Sequence, residues 1–159
     1  MAYGDPLNSF SDYSQRTWKD LLARMIYSEA RGESEEGKRG CAYVAQNRLD
    51  KQSTEFGLTM KEILLKSGQF EGMGTEHALK PDTDSEAWKV SLDIAMNLSS
   101  KANPIGSCLW FNTHAVYAKH IITDDTGITY YFFSDPNNTR AVIETHLIGG
   151  HTFFLLSGY

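Results

Sequence analysis

Apolar residues recur with helical spacing at Trp18, Leu22, Met25 and Ile26, so the run from about Thr17 to Glu33 predicts an amphipathic helix. Thr17 and Asp20 form a capping-box-like pair at its start. A second helix is predicted from about Ser34, an N-cap followed by Glu35 and Glu36, to about Asp50, with Cys41, Val44, Ala45 and Leu49 on one face. Gly37 and Gly40 present no side chain, which predicts a close neighbour, expected to be the first helix. Thr59-Met-Lys-Glu62 is a capping box opening a short helix through Leu65, with Gly68 as its stop. A fourth helix is predicted over about 85–98, with Trp88, Leu92, Ala95 and Met96 as its packed stripe.

Beyond residue 100 the period changes. The runs from Cys108 to Asn112, Thr129 to Phe133 and Thr152 to Leu156 are short, aromatic and bounded by turn formers, and read as strands. Val116 to Ile122 fits helix or loop. The pattern therefore predicts an α+β fold, with a lobe of about four helices followed by a small antiparallel sheet in the C-terminal third. Residues 1–13 are polar and turn-rich, so 1–16 reads as an arm that docks or frays. Residues 17–159 read as a single domain, long enough to bury a substantial core.

One polar residue breaks the first helix's apolar stripe. Glu29 lies eleven positions after Trp18, on the same face. Burial disfavours a charged carboxylate and raises its pKa, the condition for a general acid near neutral pH. Spacing leaves a second reading open, in which Glu29 sits at the stripe's edge and pairs with Arg24 or Arg31.

Ser28-Glu-Ala-Arg-Gly-Glu33 resembles the opening motif of the spore cortex-lytic and cell-wall hydrolase family. The resemblance continues in order through Val44-Ala-Gln-Asn-Arg48, Ser67-Gly-Gln-Phe-Glu71, Leu109-Trp-Phe-Asn112 and Ile148-Gly-Gly-His-Thr-Phe-Phe154. It implies a lysozyme-like fold and a lytic transglycosylase that cleaves the β-1,4 bond between N-acetylmuramic acid and N-acetylglucosamine in peptidoglycan. Such an enzyme would work in spore germination or phage lysis. Glu29 aligns with the family's catalytic acid. Gln69 and Phe70 match the family's Gln-Phe pair, expected to line a groove or to serve as cap and core. Trp110 and Asn112 share one strand face and Phe111 the other, and Asn112 with one of the aromatics is expected to touch glycan. His151 matches the family's Gly-x-His-x-Phe ending and either bonds in the site or fixes a strand turn.

Most glycosidases use two carboxylates. Glu33 and Glu71 are the candidates for a second one here; Glu33 also fits a loop charge or a contact with the next helix. A lytic transglycosylase needs no second acid, because the muramic C6 hydroxyl is its nucleophile. A water-using muramidase and a non-catalytic glycan-binding or phage structural module are the competing readings. Three departures from the family pattern affect the groove: Thr113-His-Ala after Asn112, Gly150 in place of a frequent Asn, and a divergent stretch from Asp124 to Val142.

A net charge of −5 argues against a nucleic-acid surface and against electrostatic attraction to an anionic wall. Glycan recognition then falls to a shaped groove, for which 12% aromatic residues suffice. The opening Met1-Ala-Tyr-Gly-Asp-Pro has neither a basic start nor an apolar run, which predicts cytoplasmic synthesis without a signal peptide, and no stretch predicts membrane insertion. Targeting to wall or cortex would come from this domain or a partner protein. Cys41 and Cys108 are expected to be reduced core residues rather than a disulfide. His114, His120, His146 and His151 show no zinc-binding spacing, so neither metal nor cofactor is predicted. No oligomeric state is predicted.

Overall fold

The computed structural model describes residues 2–159, so the arm is described from Ala2 and Met1 lies outside it. Among the described residues the helices are α1 (Trp18–Ala30), α2 (Glu35–Lys51), α3 (Met60–Leu65), α4 (Glu76–Leu79), α5 (Glu86–Met96) and α6 (His114–Lys119). The strands are β1 (Trp110–Thr113), β2 (Ile121–Thr123), β3 (Thr129–Tyr131), β4 (Arg140–Ile148) and β5 (His151–Leu156). Three 3-10 turns, Phe10–Gln15, Glu71–Gly74 and Leu98–Ser100, complete the list. The architecture is the α+β arrangement that the change of period predicts.

The helix starts follow their caps. Ser34, Thr59 and Ser85 accept from the backbone N–H groups of Gly37, Glu62 and Trp88, satisfying donors that a bare helix end leaves open. At α1 the outcome differs. Thr17 accepts from the Asp20 N–H, but the Asp20 side chain does not return the bond. It is fully buried and accepts from the Gly4 N–H at 2.7 Å and from Nε of Arg16 and of Arg24, each at 2.8 Å.

That carboxylate docks the arm. Arg24 also donates to the carbonyls of Asp5, Ala78 and Leu79, joining arm, α1 and α4. Leu7 and Tyr13 are buried, so the docked alternative holds over the frayed one. The Tyr13 hydroxyl donates to the Met73 carbonyl at 2.8 Å, and burial pushes its pKa up to about 12, keeping it a donor.

α1 packs against α2 and α5 around a core of Leu21, Leu22, Met25, Ile26, Val44 and Ile94. Trp18, assigned by spacing to the apolar stripe, is 39% exposed because it opens the helix at the surface. Met96 is likewise exposed, at the last turn of α5. The glycines of α2 do not serve the α1 contact. A Cβ on Gly40 would lie 2.7 Å from the Phe153 ring, so this glycine admits β5 instead, while Gly37 faces its own helix lead at Glu33 and Ser34.

The sheet is antiparallel throughout, in the order β1-β5-β4-β3-β2. β5 is buried along its whole length. Its apolar run lacks alternation because both faces are covered. β4 and β5 join through Gly149 and Gly150, and Gly149 at φ 55° occupies the position where a tight hairpin needs positive φ. The segment that sequence leaves as helix or loop spans most of α6 and enters β2, and the divergent stretch builds the turn after β2, β3 and the start of β4. Cys41 and Cys108 are free and buried. No helix is long and apolar enough to cross a membrane, among the described residues.

Candidate active site

A cleft of roughly 560 Å³ runs between the helical lobe and the β1 edge of the sheet. Glu29, Gln69, Phe70, Glu71, Trp110, Asn112 and His151 all line it. To this lining α1 brings Glu29, α2 brings Arg48, the segment after α3 brings residues 69–71, β1 brings Trp110 to Thr113, β5 brings His151, and the β3 end brings Tyr131 and Phe133.

Glu29 projects from the last turn of α1 and is half-buried. Its Oε1 accepts from the Gly72 N–H at 2.8 Å. Burial raises its pKa above the ordinary carboxylate range; the Gly72 N–H opposes the rise, and the charge of Glu71 adds to it. Among the described residues no cation pairs with it. Arg24 is committed to Asp20, and Arg31 donates to the Ser28 carbonyl, so the pairing alternative fails. The approach to Gly72 is close: a Cβ there would lie 2.5 Å from Ser28 Oγ and 3.0 Å from Glu29 Oε1.

Arg48 is the largest element that sequence reasoning leaves without a role. It is buried, donates from Nε to the Leu109 carbonyl at 2.8 Å and from Nη1 to Gln69 Oε1 at 3.0 Å, and lies about 5 Å from the centres of the Phe56 and Phe70 rings. Burial lowers its pKa to about 10, which leaves it charged at neutral pH. One guanidinium thus fastens the strand wall to the helical wall. Its signal was available: with Cys41, Val44 and Ala45 it completes a helical stripe, the same intrusion of charge onto an apolar face that marks Glu29.

Gln69 is exposed and its carbonyl oxygen is held by Arg48, so its amide N–H groups remain to donate. Phe70 is buried between Arg48 and Phe111, serving as core while bordering the cleft. Strand alternation separates Phe111 from Trp110 and Asn112, yet all three line the cleft because β1 is the edge strand. The Asn112 amide donates to the Tyr131 hydroxyl at 2.8 Å. Trp110 packs among Phe56, Phe133, Phe154 and Tyr159. Phe133 is half exposed and comes from the divergent stretch, which thereby shapes the groove.

His151 is 7% exposed, with its ring edge-on to Phe111, and its Nδ1 has no hydrogen-bond partner among the described residues. Burial lowers its pKa, with the Glu33 charge opposing, so the ring is neutral at pH 7. Glu33 is a contact with the next helix rather than a free loop charge: its carbonyl accepts from Lys38 Nζ and its side chain lies against Gly37, both in α2. Its Oε1 accepts from the Gly150 N–H at 2.8 Å, which secures the β4–β5 turn, and it does not border the cleft. Of the two candidate second carboxylates only Glu71 reaches the groove; Glu55 also lines it and accepts from the Tyr159 hydroxyl at 2.8 Å.

A half-buried acid in a cleft of aromatic and amide groups, between a helical lobe and a small sheet, is the arrangement of a glycan-cleaving enzyme of lysozyme-like type. Residues 32–154 match the profile of the cell wall hydrolase family, and the chain belongs to that family. Among solved structures it is similar to the catalytic domain of the germination-specific lytic transglycosylase SleB from Bacillus anthracis, with 19% identity and a TM-score of 0.54 over 87% of this chain and 93% of that one. This likeness is one of fold. No match is found among curated proteins. The family match begins just beyond Glu29, so the role of this residue rests on its geometry and its motif.

Proposed function

We propose that this chain is a peptidoglycan lytic transglycosylase that cleaves the N-acetylmuramic acid β-1,4 N-acetylglucosamine bond, with residues 17–159 as one catalytic domain buttressed by the arm. The reading rests above all on Glu29, a half-buried carboxylate that lines the cleft, with a raised pKa and no cationic partner among the described residues. Protonated Glu29 gives its proton to the glycosidic oxygen as the bond to the anomeric carbon breaks. The resulting carboxylate then takes the proton of the C6 hydroxyl as that oxygen bonds to the same carbon. Glu29 returns to its starting state, no water is consumed, and the product carries a 1,6-anhydro end. Gln69, Phe70, Glu71, Trp110, Asn112 and His151 hold the glycan, and the Glu71 charge helps keep Glu29 protonated before cleavage.

Mass spectrometry of products from vegetative peptidoglycan and from spore cortex tests this directly. Anhydro-muramic ends are expected; reducing muramic ends would overturn the transglycosylase step. They would favour a muramidase in which Glu71, the unpaired acid beside Glu29 in the groove, activates water.

The Gly72 contact supplies a second test. Gly72→Ala is expected to push the Glu29 carboxylate out of place and to lower clearing of a wall suspension by about 100-fold, the cost of an ångström-scale misplacement. Gly74→Ala, two residues on and with open space around it, should leave the rate unchanged.

A further inference from the structure

Outside the cleft, the fold assembles three metal-ligating side chains that are dispersed in sequence. The sulfur of Cys108 and one ligand atom each of Glu144 and His146 lie within 4.8 Å of one another. Glu144 and His146 stand at i and i+2 on β4, so they project from the same face, the less exposed one. A register shift between Val142 and Glu144 sets that phase, as bulges do when they re-aim a side chain. His146 Nε2 is 2.7 Å from Glu144 Oε2, and Glu144 Oε1 accepts from the Ser107 N–H at 3.3 Å. Gly106, at φ 56°, leaves the space that the Glu144 carboxylate fills. None of the three borders the Glu29 cleft, and the proposed reaction uses none of them.

We propose that Cys108, Glu144 and His146 form a binding site for a zinc-class divalent cation, with water as the fourth ligand. Thiolate, imidazole and carboxylate together make the donor set of zinc rather than of calcium or magnesium, which take oxygen ligands. Zinc bonds of about 2.0–2.3 Å require these donors to close in by about an ångström. Glu144 and His146 are only half-buried and have the freedom to do so. On binding, the sulfur–metal bond forms and the thiol proton leaves to water, while the His146 Nε2 proton, donated to Glu144 without the cation, is also released from that nitrogen so that Nε2 can coordinate, with Nδ1 taking the ring proton from water. The bond would tie β4 to the segment leading into Trp110, one wall of the cleft.

The test titrates the whole chain with Co²⁺ and then Zn²⁺ at neutral pH, following thiolate-to-cobalt absorption and thermal unfolding. One equivalent of Co²⁺ should produce the thiolate band and Zn²⁺ should abolish it. Zn²⁺ should raise Tm, and a chelator should reverse the rise. Cys108→Ser and His146→Gln should each remove the band and weaken Zn²⁺ binding by about 10-fold or more. Absence of the band in folded wild type overturns the site, independently of how any variant folds. A band that survives in His146→Gln overturns it equally, since it would place the metal elsewhere.

Discussion

Glu29→Gln is expected to lower wall lysis by about 10²–10⁴-fold, the usual worth of a positioned general acid, while leaving the protein at least as stable as wild type. The amide preserves shape and keeps an oxygen to accept from the Gly72 N–H, so the geometry of the turn survives and only the transferable proton is lost. Stability moves the other way for a reason of sign. The Glu29 pKa is raised on folding, so the folded state holds this proton more tightly than the unfolded chain does. That contribution is complete below the ordinary carboxylate pKa of about 4.3 and is lost as pH rises through the folded value. Above the folded value an ionised, half-buried Glu29 therefore weakens the fold, and a neutral glutamine does not. The same shift governs activity: the first step needs the protonated form, so the rate should fall as pH rises through the raised pKa. Lysis assays across pH, with thermal unfolding of both proteins, check each part. Retention of most activity by Glu29→Gln would remove this residue from the chemistry.

Local physics was legible along the chain because it acts over three or four residues. The caps at Ser34, Thr59 and Ser85 are written in single side chains, and the structure uses all three. The motif residues of the candidate site converge on one cleft although they come from four separate parts of the chain, α1, the segment after α3, β1 and β5. What sequence hid was long-range. Arg48 acts on Leu109, sixty-one residues away, and Asn47 donates to the carbonyls of Gly106 and Cys108 in the same loop, contacts that no periodicity encodes. Asp20 misled because its backbone N–H does bond the Thr17 cap while its carboxylate turns away from the helix start to Arg16 and Arg24, four residues to either side, and to Gly4 in the arm. β2 has three residues, too few to show a period of two, and Ile122 and Ile128 are apolar yet exposed, so apolarity did not mark its buried face.

The arm and the Gly72 turn are connected through that same carboxylate, and Asp20→Asn is expected to cost about 3–5 kcal/mol. Asp20, Arg16 and Arg24 are almost wholly withdrawn from water. Two guanidinium groups share one carboxylate there, and removing its charge leaves both buried without a counterion, the situation in which breaking an internal ion pair is most damaging. For a chain of this size the loss corresponds to a fall in Tm on the order of 10 °C. It is a large part of the 5–15 kcal/mol that holds a typical domain. Burial by itself would raise the Asp20 pKa, but the bonds from Arg16, the Gly4 N–H and Arg24, with the Arg24 charge, outweigh it and hold the carboxyl below its ordinary range. Its stabilising contribution is therefore present above the unfolded pKa of about 3.9 and disappears as pH falls through the lower folded value. Denaturant unfolding should show wild type losing this increment in acid and Asp20→Asn lacking it throughout, so the two proteins converge at low pH. The damage should also reach the site. With the arm loosened, Tyr13 no longer anchors Met73, the neighbour of the Gly72 that holds Glu29, and activity should fall before the global unfolding midpoint is reached. Equal midpoints at neutral pH would show that the network contributes nothing to the fold.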